Sequence, residues 1–448
     1  MKNQFFCWLF AGMTVFLLVG TVVQLQAQRT PSAGAVTSHY VPDLTVDNIF
    51  RAAVSNRKPP RILDTLSTTL EDGDIVVTRI RFESVIDSAR TNRIFAYLIY
   101  PKNKHRVPAL LMLHGGTQTA DDYYQLGLRF ARRGYATLIP DLPGITSPEW
   151  ASRKGNGSSG KWAEHPYGQD HFLVLPTVRA SNIYEGIITA VQSFYLLKSQ
   201  SFVDPNAVGI RGLSWGGYAT VMTTALLGRQ VKAGFAVYGS GFYDLSSYFK
   251  TIVDKLAEPA RRAWLSSLDA GRYASQIKSP FYFMAAANDT YFHPPAVAAT
   301  FAQLKRLKYI LFSPNNDHSL SNTPDPEATE LAFFDYYLRQ KGEALPRISL
   351  KKIAPNAQSS APVIAFEVIG RLPLREANVW YTTSGGAWPT HVWQPVVPTA
   401  TGLNQYRATL PNPAAGTTLH WYVTVTDDRQ VSTGTDIHCV NAFRNGSL

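Results

Sequence analysis

From residue 74 onward, apolar and polar positions fall into two recurring patterns. "DIVVTRIRFES" (74–84) and "RIFAYLIYP" (93–101) alternate, are rich in β-branched residues, and predict two antiparallel strands. "VPALLMLHGG" (107–116) and "YATLIPDLPG" (135–144) are unbroken apolar runs ending in turn residues, as expected of strands buried on both faces. Between them, Tyr124, Leu128 and Ala131 recur at helical spacing and Gly134 supplies a C-terminal cap. A long amphipathic helix follows at 179–200. Strands at 232–240, 279–289 and 308–316 then alternate with helices at 294–307 and 326–340. Strands alternating with helices imply a mostly parallel sheet with helices on both faces, an α/β domain placed at 70–342.

Beyond 345 the texture changes. "PVIAFEVIG", "EANVWYTTS", "HVWQPVV", "QYRATLPN" and "LHWYVTVTDD" are short alternating runs separated by Pro, Gly and Asn, with no helical stretch between them. That pattern predicts a small all-β sandwich over 345–448, whose late strands resemble immunoglobulin or fibronectin type III modules. Residues 28–69 read as an N-terminal extension to the α/β domain.

The first 27 residues have one cation, Lys2, an uncharged apolar run from Phe5 to Val23, and a small residue, Ala27, at the end. This layout is that of a secretory signal peptide cleaved after Ala27, the alternative being an uncleaved anchor. Loss of the leader removes Cys7 and leaves Cys439 as the single cysteine, so no internal disulfide is expected. An exported bacterial protein of the periplasm or cell surface, without a membrane span once cleaved, fits these features. The formal charge of +11 is scattered along the chain, which predicts a solvated basic surface and no nucleic-acid partner. Nothing in the sequence sets the oligomeric state.

The chemistry gathers around "VGIRGLSWGGYAT" (208–220). Gly212, Ser214 and Gly216 form the G-x-S-x-G pattern of a nucleophile elbow, with a strand before it and a helix-forming run after it, the context the motif requires. A serine hydroxyl is a poor nucleophile at neutral pH and needs a base, which in turn needs an orienting carboxylate. Asp289, at the end of "FYFMAAAND", and His318, after "YILFSPNND", follow Ser214 in the order acid then base. Asp317 is the rival acid and His293 the rival base; Asp289 could also serve only to cap the next helix, and His318 could be a surface loop residue. Acyl transfer further needs donors for the developing oxyanion. The backbone N–H of Trp215, after the serine, is one candidate, and Gly116 in "LHGGTQ" is the other. His114 is expected to shape that loop. The aromatic excursion at 145–177, with Trp150, Trp162, His165, Tyr167, His171 and Phe172, either offers a stacking surface to substrate or packs the loop onto the sheet.

Together, "LMLHGG", "FARRGYATLIPDLPG", "VDPNAVGIRGLSWGGYAT", "AAANDTYF" and "NNDHSL" resemble the α/β-hydrolase superfamily, most closely its dienelactone hydrolase, acetyl xylan esterase and prolyl oligopeptidase-like branch. The resemblance implies a serine hydrolase with no metal or other cofactor and with Ser214, Asp289 and His318 as its triad. It implies cleavage of carboxylic esters of small molecules, and the export signal with the β appendage points to acylated carbohydrate as the substrate. A prolyl oligopeptidase-like peptidase or amidase is the alternative within the enzyme class, although no propeller-sized segment precedes the catalytic region. A non-catalytic surface binding protein on the same fold is the alternative outside it.

Overall fold

The structure, a computed structural model, describes residues 49–102, 105–351, 361–414 and 417–441. The expected leader at 1–27 lies outside the described residues, as does the extension up to residue 48. Nine strands make the first part of the chain: β1 (Ile62–Glu71), β2 (Ile75–Val85), β3 (Thr91–Pro101), β4 (Val107–Leu113), β5 (Ala136–Pro140), β6 (Val203–Leu213), β7 (Ala233–Val237), β8 (Phe281–Ala286) and β9 (Lys308–Ser313). They lie side by side in the order β1-β2-β3-β5-β4-β6-β7-β8-β9. Pairing is antiparallel from β1 to β5 across β2 and β3, and parallel from β5 through β9.

The unbroken apolar runs are the parallel strands, and every residue of β5, β7 and β8 is buried. Such burial requires cover on both faces. The helices Tyr124–Arg132 and Pro326–Arg339 meet in one layer through Phe130 and Phe334, whose rings are 6.3 Å apart. The helices Asn182–Lys198 and Trp215–Leu227 pack on each other and on β4 and β6. The chain leaves β4 toward β5 on one side and returns to β6 on the other, so the strand order reverses at β4. Ligand sites in open α/β sheets form at such a reversal, beyond the carboxyl ends of the strands.

β1 begins at Ile62, inside the stretch read as an extension, so the sheet starts earlier than the expected boundary at 70. Its residues are all exposed or half-buried, which leaves little apolar signature to read. Short helices at Lys250–Val253, Glu258–Leu268 and Ala270–Tyr273 also occupy a stretch where the sequence suggested no element.

The C-terminal strands are β10 (Arg347–Lys351), β11 (Val363–Ile369), β12 (Leu374–Thr382), β13 (Gln394–Val396), β14 (Thr399–Gly402), β15 (Gln405–Thr409), β16 (Thr418–Asp427), β17 (Ser432–Gly434) and β18 (His438–Asn441). One sheet runs β10-β11-β15-β14. Ile364, Phe366, Val379, Leu419, Val423 and Val425 from this sheet and from the β12–β16 pair form a single buried cluster, the core of a sandwich. β17 also pairs with β9 at Gly434 and Ile310, which joins β13-β12-β16-β17 to the parallel sheet. Around that junction Tyr282 Oη donates to Ser432 O (2.6 Å), Ser432 N to Thr329 Oγ1 (3.0 Å) and Thr433 Oγ1 to Pro346 O (2.9 Å).

Candidate active site

Ser214 stands between the end of β6 and the helix Trp215–Leu227, with φ 58° and ψ −122°. A side chain is strained in that conformation, and a turn this sharp lifts the hydroxyl above the strand ends. Ser214 N donates to Val237 O (2.8 Å), which anchors the turn to β7. Gly216 permits the close approach: a Cβ there would collide with the carbonyl oxygens of Leu113 and His114. Gly216 thus lets the elbow sit on the β4 loop, while Gly212 lets the turn close on itself, since a Cβ there would collide with Gly216 O.

The three residues singled out in sequence come together. Ser214 Oγ is 3.0 Å from His318 Nε2, and His318 Nδ1 is 2.9 Å from Asp289 Oδ2. Asp289 is fully buried, and its Oδ1 accepts the backbone N–H groups of Tyr291 (2.8 Å) and Phe292 (2.9 Å). The carboxylate thus both shapes its own turn and faces the imidazole. A carboxylate only accepts, so the proton of a neutral His318 resides on Nδ1, leaving Nε2 free to accept from Ser214. The ring is flanked by Tyr238, with centroids 4.5 Å apart, and by Tyr291 at 5.1 Å. The rivals point elsewhere. Asp317 Oδ1 accepts from Thr290 N (2.8 Å), and His293 lies between Ser246 Oγ (3.0 Å) and Thr290 O (3.2 Å).

Gly116 lies against the Trp215 ring and the Tyr167 hydroxyl, so a Cβ at 116 would collide with both. Neither Gly116 N–H nor Trp215 N–H donates to another protein group among the described residues. Two such donors beside the Ser214 hydroxyl have the chemistry that an oxyanion would need. The loop carrying Gly116 is held from below. Gly115 N donates to Gln118 Oε1 (2.8 Å), and His114 Nδ1 donates to Gly115 O (2.8 Å) while its Nε2 accepts from Thr146 Oγ1 (2.9 Å). Complete burial lowers the His114 pKa to about 4, so it remains neutral and acts as a tie between the 115 and 146 loops.

The excursion after β5 packs down over this loop. Trp162 and His171 are buried, and His171 donates through Nε2 to Gly144 O and accepts at its carbonyl from Trp264 Nε1 (3.0 Å). The Tyr167 ring meets His171 edge-on, and His171 in turn meets the Trp215 ring at 4.9 Å. Phe172 lies 4.9 Å from Trp264, while Trp150 alone of the six aromatics is strongly exposed. Packing therefore accounts for most of these side chains. Asp141, buried after β5, fixes the excursion by accepting from Ala120 N (2.8 Å) and Ser158 Oγ (2.7 Å), and burial pushes its pKa up to about 6. Asp141 carried no distinguishing pattern in the sequence, nor did two asparagines next to the site, Asn288 and Asn315. Among the described residues no group of three or more His, Cys, Asp or Glu is arranged to hold a metal ion.

A family model described as "PhoPQ-activated pathogenicity-related protein" matches residues 219–385, a span that begins just beyond Ser214 and contains Asp289 and His318. Among solved structures, acetyl xylan esterase 1 from Thermoanaerobacterium sp. JW/SL YS485 is similar with 20% sequence identity and a TM-score of 0.54, over 64% of this chain and 92% of that one. The acetyl xylan esterase from Paenibacillus sp. R4 is similar with 19% identity and a TM-score of 0.53, over 67% of this chain and 98% of that one. Strand order, the helical layers and the elbow at the sheet reversal agree with this likeness: the chain has an α/β-hydrolase fold, extended at its C-terminus by an all-β region.

Proposed function

We propose that the protein is a serine hydrolase that cleaves carboxylic esters through an acyl-enzyme. The observation that carries this reading is the unbroken hydrogen-bonded line from Ser214 Oγ through His318 to buried Asp289. Ser214 Oγ attacks the ester carbonyl carbon as His318 Nε2 takes its proton. The carbonyl electron pair moves onto oxygen, where the N–H groups of Trp215 and Gly116 receive it. Collapse of the tetrahedral intermediate breaks the bond to the alcohol, and His318 returns the proton to the leaving oxygen. Water, deprotonated by His318, then releases the acid and restores Ser214. Asp289 holds the imidazole in the working tautomer and stabilises its charged form.

An acetylated or otherwise acylated carbohydrate is the substrate class we put forward. Tyr167 crowds Gly116, which favours a small acyl group over a long chain. The two similar solved structures carry the name acetyl xylan esterase, which supports the same class. The apolar N-terminal run supports action outside the cytosol.

A fluorophosphonate probe and a panel of p-nitrophenyl acetate, acetylated xylo-oligosaccharides and chromogenic peptides test the reading. Wild type is expected to be labelled and to turn over esters, and S214A to do neither while staying folded. Equal ester turnover by S214A, or turnover of peptides without esters, would overturn it.

A further inference from the structure

We infer that the C-terminal β region positions the acid and base loops of the active site, acting through the loop 388–393 and the side-chain amides of Asn288 and Asn315. This rests on the reading of Ser214, Asp289 and His318 given above.

Asp289 and His318 sit on the loops that leave β8 and β9. Each loop presents one amide to the C-terminal region. Asn288, adjacent to Asp289 and 5% exposed, donates through Nδ2 to His391 O (2.5 Å), with Trp388 O and Pro389 O at 3.4 and 3.3 Å. Asn315, three residues before His318, accepts from Trp393 N at Oδ1 (2.8 Å) and donates to Trp393 O through Nδ2 (2.9 Å). That two-point contact copies the exchange made by a paired strand residue. The two loops are also tied to each other. Asn288 N donates to Asn316 O (3.1 Å), and Thr290 N to Asp317 Oδ1 (2.8 Å). One outside segment therefore grips both loops, and the loops grip one another on either side of Asp289.

The gripping segment is itself fixed. Trp393 is 2% exposed, its ring lies 4.8 Å from Tyr422 on β16, and Tyr422 lies 5.8 Å from Phe312 at the end of β9. The path from β9 through Asn315, Trp393 and Tyr422 returns to β9, so the start of the His318 loop is closed into a ring of contacts. His318 must lie within hydrogen-bond reach of two partners on two other elements, a condition that small loop displacements break. Asn315 is itself exposed and in the left-handed region, φ 51°. An exposed amide adds little to a core, and the two regions are already joined at Ser432 through Thr329 and Tyr282. Its two contacts serve placement. Asn288 and Asn315 are positioning residues, since they act through Asp289 and His318.

The test uses the full chain. N315G removes the amide while suiting the left-handed backbone, and N315D keeps the acceptor for Trp393 N but loses the donor. T329V removes the acceptor of Ser432 N, a contact between the same two regions at β17 and outside both loops, and serves as the stability control. Thermal midpoint, fluorophosphonate labelling rate, and kcat and KM for p-nitrophenyl acetate are read for each. N315G is expected to lower kcat and labelling by about 10-fold or more with KM within about 2-fold, as misplaced reacting groups do. N315D is expected to fall between N315G and wild type. T329V is expected to lower the midpoint at least as much as N315G while keeping the wild-type kcat. Labelling of N315G at the wild-type rate, or a loss of kcat in T329V equal to that in N315G, would overturn the inference. A wild-type protein that resists labelling would overturn the Ser214 reading and this one with it.

Discussion

Replacing Asp289 by Asn isolates the role of the carboxylate, because the local hydrogen bonds dictate how the new amide must lie. Oδ1 receives two backbone N–H groups, from Tyr291 at 2.8 Å and Phe292 at 2.9 Å, while Oδ2 faces His318 Nδ1 at 2.9 Å. An Asn has one oxygen, and turning its NH₂ toward the two N–H groups would leave buried donors unpaired at about 1–3 kcal/mol each. The oxygen therefore keeps the Oδ1 place, and the NH₂ faces Nδ1. Nδ1 must then accept, which moves the imidazole proton to Nε2, where it points at Ser214 Oγ and bars removal of the serine proton. Loss of the working tautomer costs about 10⁴ in kcat in a serine protease, equivalent to about 5 kcal/mol of barrier. Since both backbone contacts persist, the thermal midpoint of D289N should stay close to wild type, whereas D289A, which strands both N–H groups, should lose about 2 kcal/mol or more. Steady-state hydrolysis of p-nitrophenyl acetate and differential scanning calorimetry read the two quantities. A kcat for D289N within about 10-fold of wild type would refute the tautomer argument.

Three further outcomes concern stability. S214G relieves the φ 58°, ψ −122° conformation, so it should exceed S214A in stability by about 1 kcal/mol while both lack activity; equal midpoints would mean that the elbow stores no strain. E330Q leaves Arg211, its buried partner at 2.7 Å, without a counter-charge and should cost about 3–5 kcal/mol in urea unfolding; a cost below about 1 kcal/mol would contradict that burial. Burial lowers His114 and His171 to about 4, so between about pH 6.5 and pH 4 the unfolded chain binds protons that the folded chain refuses, and stability falls as pH falls. Asp141, pushed up to about 6, binds its proton first in the folded state and offsets part of that loss. The urea midpoint should therefore be lower at pH 5 than at pH 7.5, and an equal or higher midpoint would refute the balance.

The parallel strands were readable because a strand covered on both faces must be largely apolar, and β4, β5, β7, β8 and the centre of β9 are. The meeting of Ser214, Asp289 and His318 was readable from the strand and helix framing the G-x-S-x-G turn and from the acid and base that follow it after strands, more than from the glycines themselves. β1 was missed because it buries none of its residues apart from partial contacts, so no face stands out. Asn288 and Asn315 were missed for a different reason: their partners are backbone groups of Trp388, Pro389, His391 and Trp393, which any residue could provide. A side chain that recognises main chain leaves no pattern in the partner's sequence. "HVWQPVV" was read as one strand, yet only Gln394–Val396 pairs, since the preceding residues turn toward the two asparagines.

Gly434 opposite Ile310 also decides what the parallel sheet shows to other molecules. Without β17, β9 would be a border strand whose apolar residues, Tyr309 to Phe312, end in a row of unpaired N–H and C=O groups, a template for a strand from another chain. Gly434 suits the place between β16 and β9, because a Cβ there would lie 2.9 Å from Val423 O and 3.3 Å from Ile310 O. The C-terminal strands thus shield the border of the sheet against self-association, and a fragment ending before them would keep Ser214, Asp289 and His318 yet bare the surface most prone to aggregate.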